Sequence, residues 1–331
     1  MNYLIPIEIF KEIFSFCDFL TKIRFRQIKK FLYNYLHMID FYYIEEKYLL
    51  KLTDDILINY KFIRYLNACA NPKIQNINWM KNLKELDASD NCGIDQMGII
   101  GLNLIVLNAH NNPQIKNVSW MKNLKELNSG GICGIDQMGI IGLDLTKLIA
   151  DDNPKIMDIS WMKNLKELHA YWNSGIDQLG INGLDLIKLY VWNNSKIRDI
   201  SWMKNLKELD ANGISGINQL GINGLDLIVL NVWNNSKIKD VSWMKNLKEL
   251  NVCDFCGIDQ IGIKGLDLIK FRTSNNPRIK DVSWMLNLKE LDASWDSGID
   301  QLGINGLDLI ILNTWKNPKI KCNWMNNLKN N

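Results

Sequence analysis

Histidine is scarce in this chain, three among 331 residues, and His37, His110 and His169 share no metal-ligand spacing with cysteines or carboxylates. No metal or cofactor is expected from that inventory. There is no phosphate-cradling glycine loop and no nucleophile elbow, so phosphoryl transfer and serine-type hydrolysis lack their usual supports. No apolar run is long enough to cross a bilayer. Glu8, Lys11 and Glu12 interrupt what could have been the apolar stretch of an export signal. An excess of one charge is also missing: the formal net charge is +3, which selects neither nucleic acid nor an acidic membrane. The seven cysteines are odd in number and scattered, which reads as free thiols in a reducing compartment, cytoplasmic or nuclear. Cys253 and Cys256 form a lone CxxC with no second pair to complete a zinc site. No catalytic residue stands out, and an enzyme is not expected.

What the chain has is a period. Trp79, Trp120, Trp161, Trp202, Trp243 and Trp284 follow one another at 41 residues, each in a Trp-Met pair, and Trp324 follows after 40. Each period splits into two shorter units. Leu83-Lys84-Glu85-Leu86-Asp87-Ala88 continues to Asn91 and Ile94, and Leu104-Ile105-Val106-Leu107-Asn108-Ala109 continues to Asn112 and Ile115. Both fit LxxLxLxxNxxI. Thirteen units begin at Ile63, Leu83, Leu104, Leu124, Leu145, Leu165, Leu186, Leu206, Leu227, Leu247, Leu268, Leu288 and Leu309, and Leu328 falls where another could start. The apolar fourth and sixth positions alternate with polar ones, as in a strand, and each unit is too small to bury its own apolar edge without stacked neighbours.

This pattern resembles the leucine-rich-repeat family over about four-fifths of the chain. The resemblance implies an α/β repeat solenoid, a horseshoe with a concave parallel β-sheet over residues 63–331. Thirteen strands would make a wall on the order of 60 Å. Gly-rich stretches such as Gly180–Leu184 suit tight or brief 3₁₀ turns on the far side, where the periodic tryptophans are expected to pack between coils. Ile132, Ile214, Phe255 and Asp296 replace asparagine at position nine. Those turns are expected to lose the family's asparagine ladder, with the apolar substitutes packing instead.

Because the units are near copies, their differences carry information. Position three alternates Glu (Glu167, Glu208, Glu290) with Lys (Lys147, Lys188, Lys270), a charge ladder that sets strand register. Positions seven and eight instead hold every tryptophan outside the periodic set: Trp172, Trp192, Trp233, Trp295 and Trp315, joined by Tyr171. His169 and Tyr190 stand beside them at position five. Exposed aromatics on a rigid wall are binding anchors, so these eight are candidate contacts for a protein target on the concave face. The competing reading is that the rings stack on neighbouring strands and protect the sheet.

Residues 1–62 lack the repeat and read as helices, with Ile9, Ile13 and Phe16 on one face. The segment Ile5-Pro6-Ile7-Glu8-Ile9-Phe10-Lys11-Glu12-Ile13-Phe14, with Asp18-Phe19-Leu20 and Ile23–Ile28 after it, resembles an F-box, within residues 1–40. Ile5 stands where that family has leucine, and Phe31 or Leu32 falls in its tryptophan slot. The resemblance implies docking on a Skp1-type adaptor through Pro6, Ile9, Ile13 and Phe14. Residues 41–62 are expected to be a helical linker or a cap on the first repeat. An F-box followed by leucine-rich repeats is the layout of substrate receptors for ubiquitin ligases. The alternative is a stand-alone binding or structural protein whose head only caps the stack. The near-identity of the repeats and the wealth of Asn, Ile and Lys are similar to repeat proteins of large DNA viruses of amoebae, which would make the target a host protein.

Overall fold

The computed structural model describes residues 7–28, 37–38, 40–42 and 44–321. The chain forms two compact units, residues 1–143 and 144–331.

In the first unit, α1 (Ile7–Phe16) and α2 (Phe19–Gln27) form the head. Asp18 caps α2, accepting from the Thr21 N–H at 2.8 Å and the Thr21 hydroxyl at 3.0 Å. Phe10 and Phe14 meet Phe25 with ring centroids 5.9 and 6.4 Å apart, which joins the helices. The segment after the head holds a two-residue strand, β1 (Asp40–Phe41), besides two four-residue helices, α3 (Glu46–Leu49) and α4 (Asp54–Leu57). Phe19 of α2 packs edge-on against Phe41 at 5.4 Å, so the head rests on this segment.

β1 opens a parallel sheet that continues through β2 (Tyr65–Asn67), β3 (Glu85–Asp87), β4 (Val106–Asn108) and β5 (Glu126–Asn128). Phe41, Leu66, Leu86, Leu107 and Leu127 stand side by side in this register, each all but inaccessible to water. Residues 40–57 thus act as a coil without the repeat's sequence. Their Leu49 and Leu52 carbonyls accept from the buried Asn71 amide at 2.8 and 3.1 Å, and Asp54 accepts from the Gln75 and Asn76 N–H groups.

The second unit repeats the coil nine times. Its strands are β6 (Lys147–Ile149), β7 (Glu167–His169), β8 (Lys188–Tyr190), β9 (Glu208–Asp210), β10 (Val229–Asn231), β11 (Glu249–Asn251), β12 (Lys270–Arg272), β13 (Glu290–Asp292) and β14 (Ile311–Asn313). All neighbours are parallel and in register, Leu148 opposite Leu168 and so on to Leu291 opposite Leu312, with Phe271 taking one turn of the leucine column. Burying the leucine spine is the main stabilising term, about 1.5–3 kcal/mol per fully buried side chain. Short 3₁₀ turns such as Leu220–Ile222 return the chain between strands.

Buried polar groups tie coil to coil. In alternate coils position nine is a buried asparagine. The Asn194 amide donates to the Ala170 and Ile176 carbonyls of the preceding coil at 3.0 and 3.1 Å, and its Oδ1 accepts from the Lys196 N–H at 2.9 Å. In the other coils the expected packing of Ile132, Ile214 and Phe255 is not found: they are 66%, 68% and 78% exposed. Their coils bury position ten instead, where Cys92, Cys133, Ser174, Ser215, Cys256 and Ser297 stand. The polar rung has moved by one residue, and position nine turns outward. Cys256 is therefore a structural residue, and burial pushes its thiol up to about 11. A second ladder runs on the turn side. Gln178 accepts from the Arg198 and Asp199 N–H groups at 2.8 and 2.9 Å and donates to the Asp199 carbonyl, and Gln219 and Gln260 repeat this. The periodic tryptophans are structural: Trp202, Trp243 and Trp284 donate Nε1–H to the Leu184, Leu225 and Leu266 carbonyls at 3.0 Å.

Candidate interaction surface

Position eight of every coil lies in the left-handed region, from Ala70 (φ 53°) to Lys316 (φ 56°). Most coils place Asn, Asp or Gly there, the residues that tolerate that backbone. Two coils place tryptophan: Trp172 at φ 52° and Trp295 at φ 54°. A bulky residue held there costs about 1–3 kcal/mol. Both rings nevertheless stand out from the strand face, 50% and 45% exposed.

Each of these rings meets the position-seven tryptophan of the next coil edge to face. Trp172 and Trp192 have centroids 5.2 Å apart at 68°, and Trp295 and Trp315 are 4.8 Å apart at 89°. The backbone repeats the pairing, with Trp172 N–H donating to the Trp192 carbonyl at 2.8 Å and Trp295 N–H to the Trp315 carbonyl at 2.7 Å. Around the first pair, Tyr171 contacts Trp192 and Tyr190 at 6.2 Å, and His169 contacts Tyr190 at 4.2 Å and Tyr171 at 5.7 Å. Five of the eight candidate aromatics thus form one connected group, and Trp295 with Trp315 forms a separate pair. Trp233 makes no ring contact with either, and its Nε1–H donates to the Asp254 carboxylate.

Carboxylates hold this group from below. His169 Nε2 lies 2.8 Å from Glu167, which also pairs with Lys147 at 2.7 Å. Burial pushes the Glu167 carboxyl up, but these two partners outweigh it and leave it below its usual value. The Tyr190 hydroxyl donates to Glu208 at 2.6 Å, and burial, then this bond, raises its phenol far above the usual range. The position-three ladder closes with Lys188–Glu208 at 3.2 Å and Lys270–Glu290 at 2.8 Å.

Next along the sheet, Asp210 is flanked by Tyr190 and Asn231, with Glu208 on its own strand. Burial raises its carboxyl to about 6, the neighbouring Glu208 adds to this, and donation from the Asn212 N–H and the Asn231 amide opposes it. A folded pKa above the unfolded one means that this group contributes stability fully below about pH 3.8. That contribution is lost as pH rises through about 6. A carbon-13 titration of the Asp210 carboxyl is expected to show a midpoint near 6; a midpoint near 4 would mean that the group is solvated. Asn212 lies between Trp192 and Trp233 at position seven, 8% exposed, and its Oδ1 is buried without a hydrogen-bond partner.

In the head, Ile9 and Ile13 are exposed on α1, whereas Phe14 is buried against Phe25 and is not open to a partner. Pro6 lies outside the described residues. Among the described residues no group of His, Cys, Asp or Glu is arranged to hold a metal, and no helix is long and apolar enough to cross a membrane.

Twenty- and twenty-one-residue coils, each with one LxxLxL strand in a parallel stack, define a leucine-rich-repeat solenoid. No protein-family model and no curated protein matches the chain. Among solved structures, a chain in the crystal structure of the Rad7 and Elc1 complex in yeast is similar at 15% identity, over 83% of each chain, with a TM-score of 0.41. The functional domain of InlJ from Listeria monocytogenes is similar at 16% identity, over 80% of this chain and 61% of that one, with a TM-score of 0.44.

Proposed function

We propose that this chain is a non-catalytic protein-interaction scaffold whose target sits on the aromatic strand face of the second unit. The observation that carries the reading is Trp172. A tryptophan on left-handed backbone, half exposed and stacked on Trp192, is a local cost that the coil itself does not require, since Asn and Gly fill the same slot elsewhere. The connected rings add large, rigid contact area at low entropic cost. The finer reading makes the head an F-box-like dock for a Skp1-type adaptor, so that the chain delivers its target to a ubiquitin ligase in the cytoplasm or nucleus. What supports it is the exposed Ile9 and Ile13 on α1, beside the motif that carries the resemblance.

Each half has its test. A photo-cross-linking residue in place of Trp233 is expected to trap a partner in the cell of origin, while one in place of Leu179, exposed on the turn side, is not. Partners trapped only at the Leu179 position would move the site off the strand face. Purified Skp1-type adaptor is expected to bind the full chain, with at least tenfold loss in an Ile9→Asp, Ile13→Asp variant. No binding by the unaltered chain would leave the head as a cap alone.

A further inference from the structure

The two tryptophan pairs are copies of one slot. Trp295 and Trp315 stand three 41-residue periods after Trp172 and Trp192, at the same positions of their coils and with the same edge-to-face geometry. They differ in what lies over the rings. The ammonium of Lys316 sits 4.0 Å from the Trp295 centroid and 4.4 Å from that of Trp315, so the second cleft holds a cation supplied by its own chain. The residue equivalent to Lys316 at the first cleft is Asn193, which has no charge.

The surroundings of the first cleft are acidic on balance, since the lysines of the same strands, Lys147 and Lys188 at position three, are paired with Glu167 and Glu208. Positions five, seven and eight of the five coils beginning at Leu145, Leu165, Leu186, Leu206 and Leu227, and of the next one at Leu247, carry Asp151, Asp152, Asp210 and Asp254 and no lysine or arginine. Neutral groups contact the last two of these: Asn231 and Asn212 reach Asp210, and Trp233 and Asn275 reach Asp254.

We propose that the Trp172–Trp192 cleft takes a lysine side chain of a basic segment of a protein partner, whose ammonium occupies the place that Lys316 fills at the second pair. The aspartates of the lane supply the complementary charge. The inference rests on the strand face being the binding surface, and adds the chemistry of what it binds. Stacking alone would admit many ligands. The acidic lane selects against nucleic acid and acidic peptides, and the internal lysine shows which group this ring geometry accepts.

The test uses the full chain and a fluorescent octalysine peptide, with octaglutamate and fully acetylated octalysine as controls. Octalysine is expected to bind saturably and to change tryptophan emission, and neither control is expected to bind. Asn193→Lys places in the first cleft the residue that its copy already carries, on a backbone (φ 56°) that Lys316 adopts. It is expected to weaken octalysine binding about tenfold or more, the scale of a desolvated cation–π contact. Trp172→Leu, which leaves every charge in place, is expected to do the same. Octalysine affinity within twofold of the unaltered chain in both variants, or equal binding of the acetylated peptide, overturns the proposal. If cross-linking at the Trp233 position still traps a partner in that case, the strand face stands as the site and only the basic chemistry falls.

Discussion

Replacing Asn235 by alanine is expected to destabilise the second unit by about 3–5 kcal/mol, far beyond an ordinary surface change. Asn235 is buried, and its side chain satisfies three backbone groups at once. Its amide donates to the Ala211 carbonyl at 2.8 Å and the Ile217 carbonyl at 3.3 Å, and its Oδ1 accepts from the Lys237 N–H at 2.9 Å. Alanine leaves the two buried carbonyls facing protein rather than water, at about 1–3 kcal/mol for each, and removes the acceptor of the half-buried Lys237 N–H. Ser215→Ala is the matched comparison from the other kind of coil. There the hydroxyl accepts one long bond, 3.4 Å from the Ile217 N–H, and a loss of about 1 kcal/mol is expected. Urea denaturation of the two variants decides the matter: equal losses would show that the asparagine rung is no more than a space filler.

That contrast marks what was readable in advance. The strand of each coil, its register and the turns were legible, because an apolar period of two inside a longer fixed period leaves few packings. The leucine column from Leu86 to Leu127 lies where the pattern places it. The shifted rung was not legible from the consensus alone. Position nine reads as the family's asparagine slot, and only the backbone shows that Ser215 or Cys256 enters the interior one residue later. A signal existed nonetheless, since position ten is serine or cysteine in all six coils of that kind. β1 left no such trace. Asp40–Phe41 has none of the repeat's spacing and is a strand because Phe41 extends the buried column beside Leu66.

The site was half visible. Tryptophans on strand-face positions could be counted from the sequence, but their grouping depends on distances that spacing does not give. Trp233 shares position seven with Trp192 yet bonds to Asp254, with the smaller Asn212 between it and Trp192. The left-handed backbone at position eight could have been inferred from Asn111, Asn193, Asn234 and Asn275 with Gly131 and Gly213, and it would have singled out Ala70, Trp172, Trp295 and Lys316 as the residues that break the rule, three of them with large side chains. The sites of interest in a near-perfect repeat are its exceptions to a backbone demand, more than its exceptions to composition.

Gly216→Ala is expected to destabilise the second unit strongly, by about 3 kcal/mol or more. A Cβ on Gly216 would lie 2.3 Å from the Ile197 carbonyl oxygen and 2.6 Å from that of Ser195, both backbone atoms of the preceding coil that cannot rotate away. The glycine itself donates its N–H to the Asn194 carbonyl at 2.9 Å, so relieving the clash by lifting the coil also breaks the bond that closes it. Gly306→Ala separates this cause from conformational strain. Its φ is +81°, yet a Cβ there meets nothing within 4 Å, and a loss of about 1 kcal/mol is expected from the backbone alone. Because coils of a solenoid touch only their neighbours, the Gly216 defect is also expected to uncouple the stack at that point, splitting a single urea transition into two. A Gly216→Ala variant as stable as Gly306→Ala, with one transition, would mean that the coils can move apart freely, and the close stacking that positions Trp192 beside Trp172 would then not be what holds the two rings together.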